Sequence, residues 1–196
     1  MELTDKIITA DCSTDGEIDI NKYKSAIRLM FKDLVRSSNF PDKNAKLLSL
    51  YLPGDETLDQ ITFNLLNVYK QTFRGTIITD VISTSWHDFE LSKSKNKVYA
   101  GLSHLPFPDN TFDLAYAQGI SQEFEEVDCF LEVYRVIKPG GLLVFTDLSN
   151  FGSPMPLTKS FVARLNDEEI GFRNHWPLLD IRFKDHLYLS MYAIQK

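Results

Sequence analysis

The sequence is poor in the features that mark several classes of protein. Its 196 residues contain two cysteines, Cys12 and Cys129, too few for a disulfide framework, and no cysteine or histidine spacing that indicates zinc. No apolar run approaches the roughly 20 residues of a membrane-spanning helix, and residues 1–6 lack the basic start of a signal peptide. Acidic residues outnumber basic ones by 27 to 21, which disfavours a nucleic-acid binder. We therefore expect a cytoplasmic protein with no metal site and no contact with a membrane.

What the sequence does contain is enough apolar material for one core. Hydrophobic residues make up 43% and aromatic residues 12%, which argues against disorder. Residues 1–45 differ from the rest and predict an amino-terminal extension. Within it, apolar residues at helical spacing predict an amphipathic helix over about 20–37: Tyr23, Ile27, Met30 and Leu34.

From residue 46 onward, apolar strand patterns alternate with helical patterns, so residues 46–196 predict one α/β domain. The predicted strands cover residues 47–52, 76–82, 97–101, 112–117, 142–146, 172–183 and 186–194. The predicted helices between them cover about 58–69, 86–92, 127–137 and 158–169. Such alternation requires crossover connections and a mostly parallel sheet with helices on both faces. The last two strands have room only for a hairpin, so the sheet should have an antiparallel end.

The stretch from Gly101 to Thr146 resembles the class I S-adenosylmethionine-dependent methyltransferases, most closely their type 11 branch. Residues 105–114, LPFPDNTFDL, are similar to a segment of that family, and residues 132–141, EVYRVIKPGG, are similar to its helix end. The resemblance implies a Rossmann-like fold with a seven-stranded sheet whose last strand is antiparallel. It also implies S-adenosyl-L-methionine as the cofactor.

The glycine-rich cofactor loop of the family is altered in this chain. The matching residues 48–55 read LSLYLPGD, so the family's acidic residue is replaced by Ser49. Its three glycines fall on Tyr51, Pro53 and Asp55, and only Gly54 remains nearby. The bulk of Tyr51, the missing N–H of Pro53 and the charge of Asp55 oppose the close approach of the loop backbone to the cofactor. The departure predicts weak or absent cofactor binding, in the high-micromolar range at best or about −5 to −6 kcal/mol.

The resemblance implies further cofactor contacts beyond Tyr51 and Gly54. Asp80 matches the acid that accepts hydrogen bonds from the ribose hydroxyls, and an aspartate that only caps or turns the chain is the alternative. The family's adenine-side acid falls on Leu102, where Ser103 or His104 would be a polar substitute. Gln118, at the end of the predicted strand 112–117, is the candidate to face a methyl acceptor, because ligands bind at the carboxyl ends of strands.

Three functions remain open at the level of the sequence. The first is methyl transfer from S-adenosylmethionine to a small molecule or a protein. The second is a catalytically inactive pseudo-methyltransferase that acts as a binding or scaffolding module. The third and weakest is a subunit of an RNA-modifying enzyme. No residue stands out as a general base, but methyl transfer gains much of its rate from alignment alone.

Two further patterns lie in the amino-terminal extension. Residues 11–22, DCSTDGEIDINK, resemble an EF-hand loop, but Lys22 stands where calcium needs a bidentate glutamate, so we predict no calcium site. The alternative is a turn that caps the next helix. Four basic residues spaced four apart form a stripe that is either a solvated face or a docking site for an acidic partner: Lys24, Arg28, Lys32 and Arg36.

Overall fold

The computed structural model describes residues 8–11, 13–14, 17–19, 21–22, 25–26, 28–29, 44–51, 77–82, 97–118, 127–149, 171, 173–182 and 188–196. The described part contains one helix with both ends defined, α1 (Val127–Val136). Its strands are β1 (Ile8–Asp11), β2 (Ser13–Thr14), β3 (Glu17–Ile18), β4 (Lys46–Tyr51), β5 (Ile77–Ile82), β6 (Lys97–Tyr99), β7 (Phe112–Gln118), β8 (Ile137–Ser149), β9 (Arg173–Arg182) and β10 (Tyr188–Gln195). The predicted helices at 58–69, 86–92 and 158–169 lie outside the described residues.

The strands form a mixed sheet in the order β1-β9-β10-β8-β7-β4-β5-β6. Strands β4 to β8 pair in parallel, whereas β10 is antiparallel to both β8 and β9. The predicted α/β class, the mostly parallel sheet and the closing hairpin are therefore confirmed. Parallel pairing follows from the length of the connections, since each parallel neighbour needs a crossover.

The described sheet has eight strands where the sequence predicted seven, because an additional strand comes from the amino-terminal extension. Residues 8–11 pair in parallel with residues 179–182 of β9 and so form the sheet edge. Strands β2 and β3 form a separate antiparallel pair. The sequence predicted a turn as the alternative for residues 11–22 and no strand in the amino-terminal extension.

The main core lies between α1 and one face of the sheet. Leu48 and Leu50 of β4 are 0% and 1% exposed and belong to the same apolar cluster as Phe130 and Val133 of α1. Side chains alternate between the two faces of a strand. Ser49, between these two leucines, therefore belongs to the opposite face of the sheet.

Helix α1 passes directly into β8, as residues 139–141 predicted. Gly140 has a φ of 79°, the left-handed conformation that glycine adopts without steric cost. A side chain on Gly141 would bring its Cβ within 2.6 Å of Ile137 Cγ2 and 2.9 Å of Asp113 O. The helix thus ends at Val136, one residue earlier than predicted, and the two glycines let the chain turn into the centre of the sheet.

The amino-terminal helix begins at a capping aspartate. Residues 21–22, 25–26 and 28–29 are helical, and Asp19 Oδ1 accepts hydrogen bonds from the backbone N–H groups of Asn21 and Lys22, both at 3.0 Å. This is the arrangement of an N-cap. The interpretation of residues 11–22 as a turn that caps a helix is therefore confirmed at Asp19. Among the described residues, no group of three or more His, Cys, Asp or Glu side chains is placed to hold a metal ion.

In the described part of the chain, no helix has both the length and the apolar character needed to cross a bilayer.

Candidate functional site

The candidate site lies where the strand order reverses. The chain runs outward from β4 through β5 to β6, and then returns to place β7 on the other side of β4. In open α/β sheets the crevice at such a switch point, outside the carboxyl ends of the strands, is where ligands bind. The crevice of this protein therefore lies at the ends of β4, β5 and β7.

Two of the predicted site residues, Tyr51 and Gln118, stand at the ends of strands beside this switch point, and a third, Asp80, lies within β5. Tyr51 is the last residue of β4 and Gln118 is the last residue of β7, on the neighbouring strand. Asp80 lies in β5 but two residues before its end, and the residue level with Tyr51 is Ile82. Asp80 is instead in register with Ser49. Asp80 therefore lies two residues before the end of β5, further from the carboxyl-end edge of the sheet than Tyr51.

The other predicted site residues are placed differently. Leu102 is 5% exposed and belongs to the apolar cluster that contacts α1, so its side chain contributes to the core. Ser103 and His104 are exposed in the turn after β6, where His104 N–H donates to Gly101 O at 3.1 Å. Gly54 lies outside the described residues, as do Lys24, Lys32 and Arg36 of the basic stripe. Arg28, the remaining member, is exposed.

Ser49 is a polar residue that the sequence analysis noted only as a substitution. It is 1% exposed, and among the described residues its Oγ is a buried side-chain atom without a hydrogen-bond partner. Its register neighbours are Asp80 on β5 and Tyr116 on β7. The signal in the sequence is a single serine inside the apolar run of residues 47–50, but the missing partner is visible only in the structure.

The segment that leads from β6 to β7 is fixed to α1 by two residues of the helix, Glu132 and Arg135, which also pair with each other. Arg135 donates to both carboxylate oxygens of Glu132 at 2.8 Å, and also to the carbonyls of Leu105 and Phe107 at 2.9 and 2.7 Å. Glu132 Oε2 accepts from the Leu105 N–H at 2.8 Å. Arg135 also pairs with Asp109 at 2.7 Å. The side chains of the two matching motifs therefore bind each other.

This arrangement shifts the titration of both partners. The hydrogen bonds from Arg135 hold the pKa of Glu132 below its ordinary value of 4.5, against the opposing effect of burial. The hydrogen bonds to Glu132 and Asp109 raise the pKa of Arg135 above its ordinary value. Such a structural ion pair perturbs pKa values without taking part in catalysis. We assign Glu132 and Arg135 to the scaffold of the site.

The turn before β7 contains a residue in the left-handed conformation and is packed on the core by two phenylalanines. Asn110 has a φ of 55°, a left-handed conformation that asparagine tolerates better than most residues. The rings of Phe107 and Phe112 pack edge to face with centroids 5.0 Å apart, and Phe112 is 3% exposed. The turn is therefore anchored on the core.

Comparison with known proteins agrees with this architecture. Residues 62–145 match the model of a family described as a methyltransferase domain. A ubiquinone/menaquinone biosynthesis C-methyltransferase of Erwinia tasmaniensis is 38% identical over 113 residues, which cover 56% of this chain and 39% of that protein.

Two solved structures show the same fold. The [4+2]-cyclase SpnF has a TM-score of 0.59 at 16% identity, over 98% of this chain and 89% of its own. A SAM-dependent methyltransferase from Aquifex aeolicus has a TM-score of 0.51 at 19% identity, over 92% of this chain and 100% of its own. At these identities the likeness is one of fold alone.

The strand order, with its reversal at β4, is that of a Rossmann-like α/β fold. Residues 62–145 match the methyltransferase domain model, and the curated relatives and the solved structures that resemble the chain include S-adenosylmethionine-dependent methyltransferases, so the chain is similar to the class I enzymes of that kind. The chain spans between about a quarter and two fifths of the length of the curated relatives it matches.

The residues of the crevice fit the cofactor of this family at one point that the structure describes. S-adenosylmethionine carries hydroxyl, amino and carboxylate groups that need hydrogen-bond partners. Ser49 offers a hydroxyl with an unused donor and unused acceptor sites. Asp80, in register with it, is a carboxylate-bearing residue of the neighbouring strand. The fit therefore rests on this pair of adjacent strands.

Proposed function

We propose that this protein binds S-adenosylmethionine at the carboxyl ends of β4, β5 and β7 and transfers its methyl group to a small molecule or a protein. The observation that carries the proposal is the reversal of strand order between β4 and β7, together with the match of residues 62–145, which include β5, β6 and β7, to a methyltransferase domain. The cofactor supplies an electrophilic methyl group on a sulfonium when it is bound. The chain has to hold the acceptor in line with that group.

Gln118 is the residue we assign to the acceptor side of the crevice. It ends β7 on the opposite side of β4 from β5, and its register partner on β8 is Thr146. A residue there borders the crevice without belonging to the strand that leads into the cofactor loop. Its role is to position the acceptor, since alignment supplies much of the rate in such a displacement.

The alternative is a pseudo-methyltransferase, a binding module of the same fold. It is supported by Tyr51, Pro53 and Asp55, which stand where the family has glycine. The proposal also includes a cytoplasmic location, testable by fractionation, and docking of an acidic partner on Lys24, Arg28, Lys32 and Arg36. An RNA-modifying subunit is the weaker possibility, since the net charge is −6.

Calorimetric titration with S-adenosylmethionine and S-adenosylhomocysteine tests the proposal. We expect saturable binding in the high-micromolar range, about −5 to −6 kcal/mol. If Tyr51 obstructs the cofactor, Tyr51→Gly should bind more tightly than the wild type. Absence of heat and of any thermal shift at millimolar ligand would contradict the proposal and favour the binding module.

A further inference from the structure

Strand β4 is buried on both of its faces. Its residues 47–50 are each no more than 1% exposed, and residues 114–117 of the neighbouring strand β7 are 0% exposed. Where a strand has one face in the core and one in solvent, a slip by one residue exposes its apolar side chains, and this penalty fixes the register. A strand buried on both faces lacks that penalty. Another contact therefore has to fix the register of β4 on β7.

A carboxylate provides such a contact at the amino end of the two strands. Their pairing begins at Leu47 and Leu114, and Lys46 and Asp113 come one residue earlier on each strand. There Asp113 Oδ2 accepts a hydrogen bond from the backbone N–H of Lys46 at 2.9 Å. A backbone N–H moves with its strand, so a slip of β4 by one residue, about 3.3 Å, would break this bond.

The same carboxylate is also held from the other side of β7. Its second oxygen, Oδ1, accepts a hydrogen bond from Lys138 Nζ of β8 at 2.7 Å, and the Asp113 side chain is 12% exposed. The register of β7 on β8 shifts between Phe112 and Leu114, the two neighbours of Asp113. One side chain therefore joins β4, β7 and β8, three adjacent strands of the sheet.

The consequence of this contact appears at the opposite edge of the sheet. Tyr51 ends β4 five residues after Lys46, and Gln118 ends β7 five residues after Asp113. Since a strand rises by about 3.3 Å per residue, fixing the two starts also sets the relative level of the two ends, about 17 Å away. Those ends border the switch point where the candidate site lies.

We propose that Asp113 is a positioning residue of the candidate site: its carboxylate sets the register of β4 on β7 and thereby the level at which the two carboxyl ends stand. The inference rests on the proposed function for the ligand at those ends. It goes beyond that function because it assigns an effect on binding to a residue at the opposite edge of the sheet, which acts through the strands. Lys138 orients the carboxylate, and the bond to Lys46 carries the effect.

Two substitutions separate the position of the oxygen from its charge. Asp113→Asn keeps an acceptor oxygen at the same distance from the backbone and removes the charge, whereas Asp113→Glu keeps the charge and displaces the oxygen by one methylene. Calorimetric titration measures the affinity of each variant for S-adenosylhomocysteine. We expect Asp113→Asn to stay within about twofold of the wild type and Asp113→Glu to bind about tenfold more weakly. A carboxylate that served only the ion pair with Lys138 would not give this order.

The register itself is measured without a ligand. Nuclear Overhauser effects between the backbone protons of β4 and β7 should connect Leu48 with Ala115, its register partner, in the wild type and in Asp113→Asn. In Asp113→Glu these signals should weaken, and a second set from a slipped register should appear. If Asp113→Glu does not fold, Asp113→Ser takes its place with the same expected losses, because its hydroxyl is too short to reach the N–H of Lys46.

Lys138→Met is the matched control. It removes the ion pair and leaves the hydrogen bond between Asp113 and Lys46 in place. The variant should unfold at lower urea concentration than the wild type, while its register and its affinity for S-adenosylhomocysteine stay unchanged. A loss of affinity as large as that of Asp113→Glu would assign the effect to the ion pair and overturn the inference.

The remaining outcomes separate this inference from the proposed function. If the wild type binds S-adenosylhomocysteine and Asp113→Glu binds it equally well, or keeps the wild-type register, the inference is wrong and the proposed function stands. A slipped register in Asp113→Asn also overturns the inference, since the acceptor oxygen is still present. If the wild type does not bind the probe at millimolar concentration but Asp113→Glu slips, the proposed function is wrong and the role of Asp113 in the register stands.

Discussion

Two consecutive glycines serve different physical purposes at the start of β8. Gly140 needs a positive φ of 79°, which costs other residues about 1 kcal/mol or more. Gly141 has no such φ, but its neighbours leave no room for a side chain. Both requirements arise because a helix is followed at once by a strand in the centre of the sheet. Pro139, Gly140 and Gly141 indicate a turn in the sequence. The reason for Gly141 is visible only in the structure, where it lies against Asp113 of the neighbouring strand β7.

Gly141→Ala should be clearly destabilising. The new Cβ would lie 2.6 Å from Ile137 Cγ2 and 2.9 Å from two backbone oxygens, of Asp113 and Lys138. Overpacking of this kind costs about 1–3 kcal/mol. Urea unfolding monitored by circular dichroism measures the change. Gly101→Ala is the control, because a Cβ at Gly101 meets nothing within 4 Å, and its effect should stay near zero. Equal effects of the two substitutions would contradict the steric explanation.

At the scale of elements, Glu132 and Arg135 of α1 connect the helix to the segment before β7 through hydrogen bonds to its backbone. Asn110 N–H and Thr111 N–H also donate to the carbonyls of Arg135 and Val136, at 3.0 and 2.8 Å, so the turn occupies the last carbonyls of α1. Lys196 Nζ donates to two more carbonyls at this end, those of Tyr134 and Ile137. Unsatisfied carbonyls at a helix end thus become the attachment points of other segments.

Glu132→Gln should lower stability in a pH-dependent way. The folded pKa of Glu132 lies below its ordinary value of 4.5, so its contribution is complete above about pH 4.5 and is lost as the pH falls through the folded pKa. We expect a loss of about 2 kcal/mol at pH 7, typical of hydrogen bonds to a charged group. Urea unfolding of both proteins from pH 7 to pH 3 should show this difference shrinking below pH 4.5.

A control on the same helix isolates the titration. Leu131 is 41% exposed on α1 and carries no titratable group. The stability difference between the wild type and Leu131→Gln should be independent of pH. If the effect of Glu132→Gln is equally constant down to pH 3, its carboxylate does not stabilise the turn as described.

The elements that sequence predicted best were those with a strong local pattern. Predicted strands at 47–52 and 186–194 correspond to Lys46–Tyr51 and Tyr188–Gln195. The strand Ile8–Asp11 was missed, because its four residues form a strand only through pairing with β9. The sequence also did not predict that Asp80 is in register with Ser49 rather than with Tyr51. That register depends on the pairing of two strands, and the sequence of a single strand does not determine it.

For the molecule as a whole, charge is the property that bears on partners. The net charge is −6, yet the sequence predicts a basic stripe on the amino-terminal helix, made of Lys24, Arg28, Lys32 and Arg36. In the described part of that helix, Arg28 is exposed and Ala26 is 8% exposed. The apolar face predicted for this helix, Tyr23, Ile27, Met30 and Leu34, lies outside the described residues. Docking of an acidic partner on the basic stripe therefore stays a prediction.

Reversing the stripe to glutamate at all four positions should abolish binding to an acidic partner, with poly-L-glutamate as the probe. Binding by the wild type should weaken steeply with salt, because exposed charges are screened over about 10 Å at 0.1 M ionic strength. Fluorescence anisotropy measures both effects. A set of four glutamine substitutions is the control and should give an intermediate loss. Equal retention by the wild type and the reversed variant would identify the stripe as a solvated face, and retention of RNA instead would favour the third function.

The pairing of β1 with β9 has a consequence for the order in which the protein is completed. Ile8 is synthesised about 170 residues before Leu179, its partner in the sheet. On a ribosome, the strand Ile8–Asp11 therefore leaves the tunnel long before the edge that receives it exists. Contacts so distant along the chain are slow to form, because the closure of a large loop precedes any gain from pairing. The strand that is synthesised first, β1, is thus the last to join the sheet. Until it pairs, the outer edge of β9 is open to any other extended segment that reaches it first.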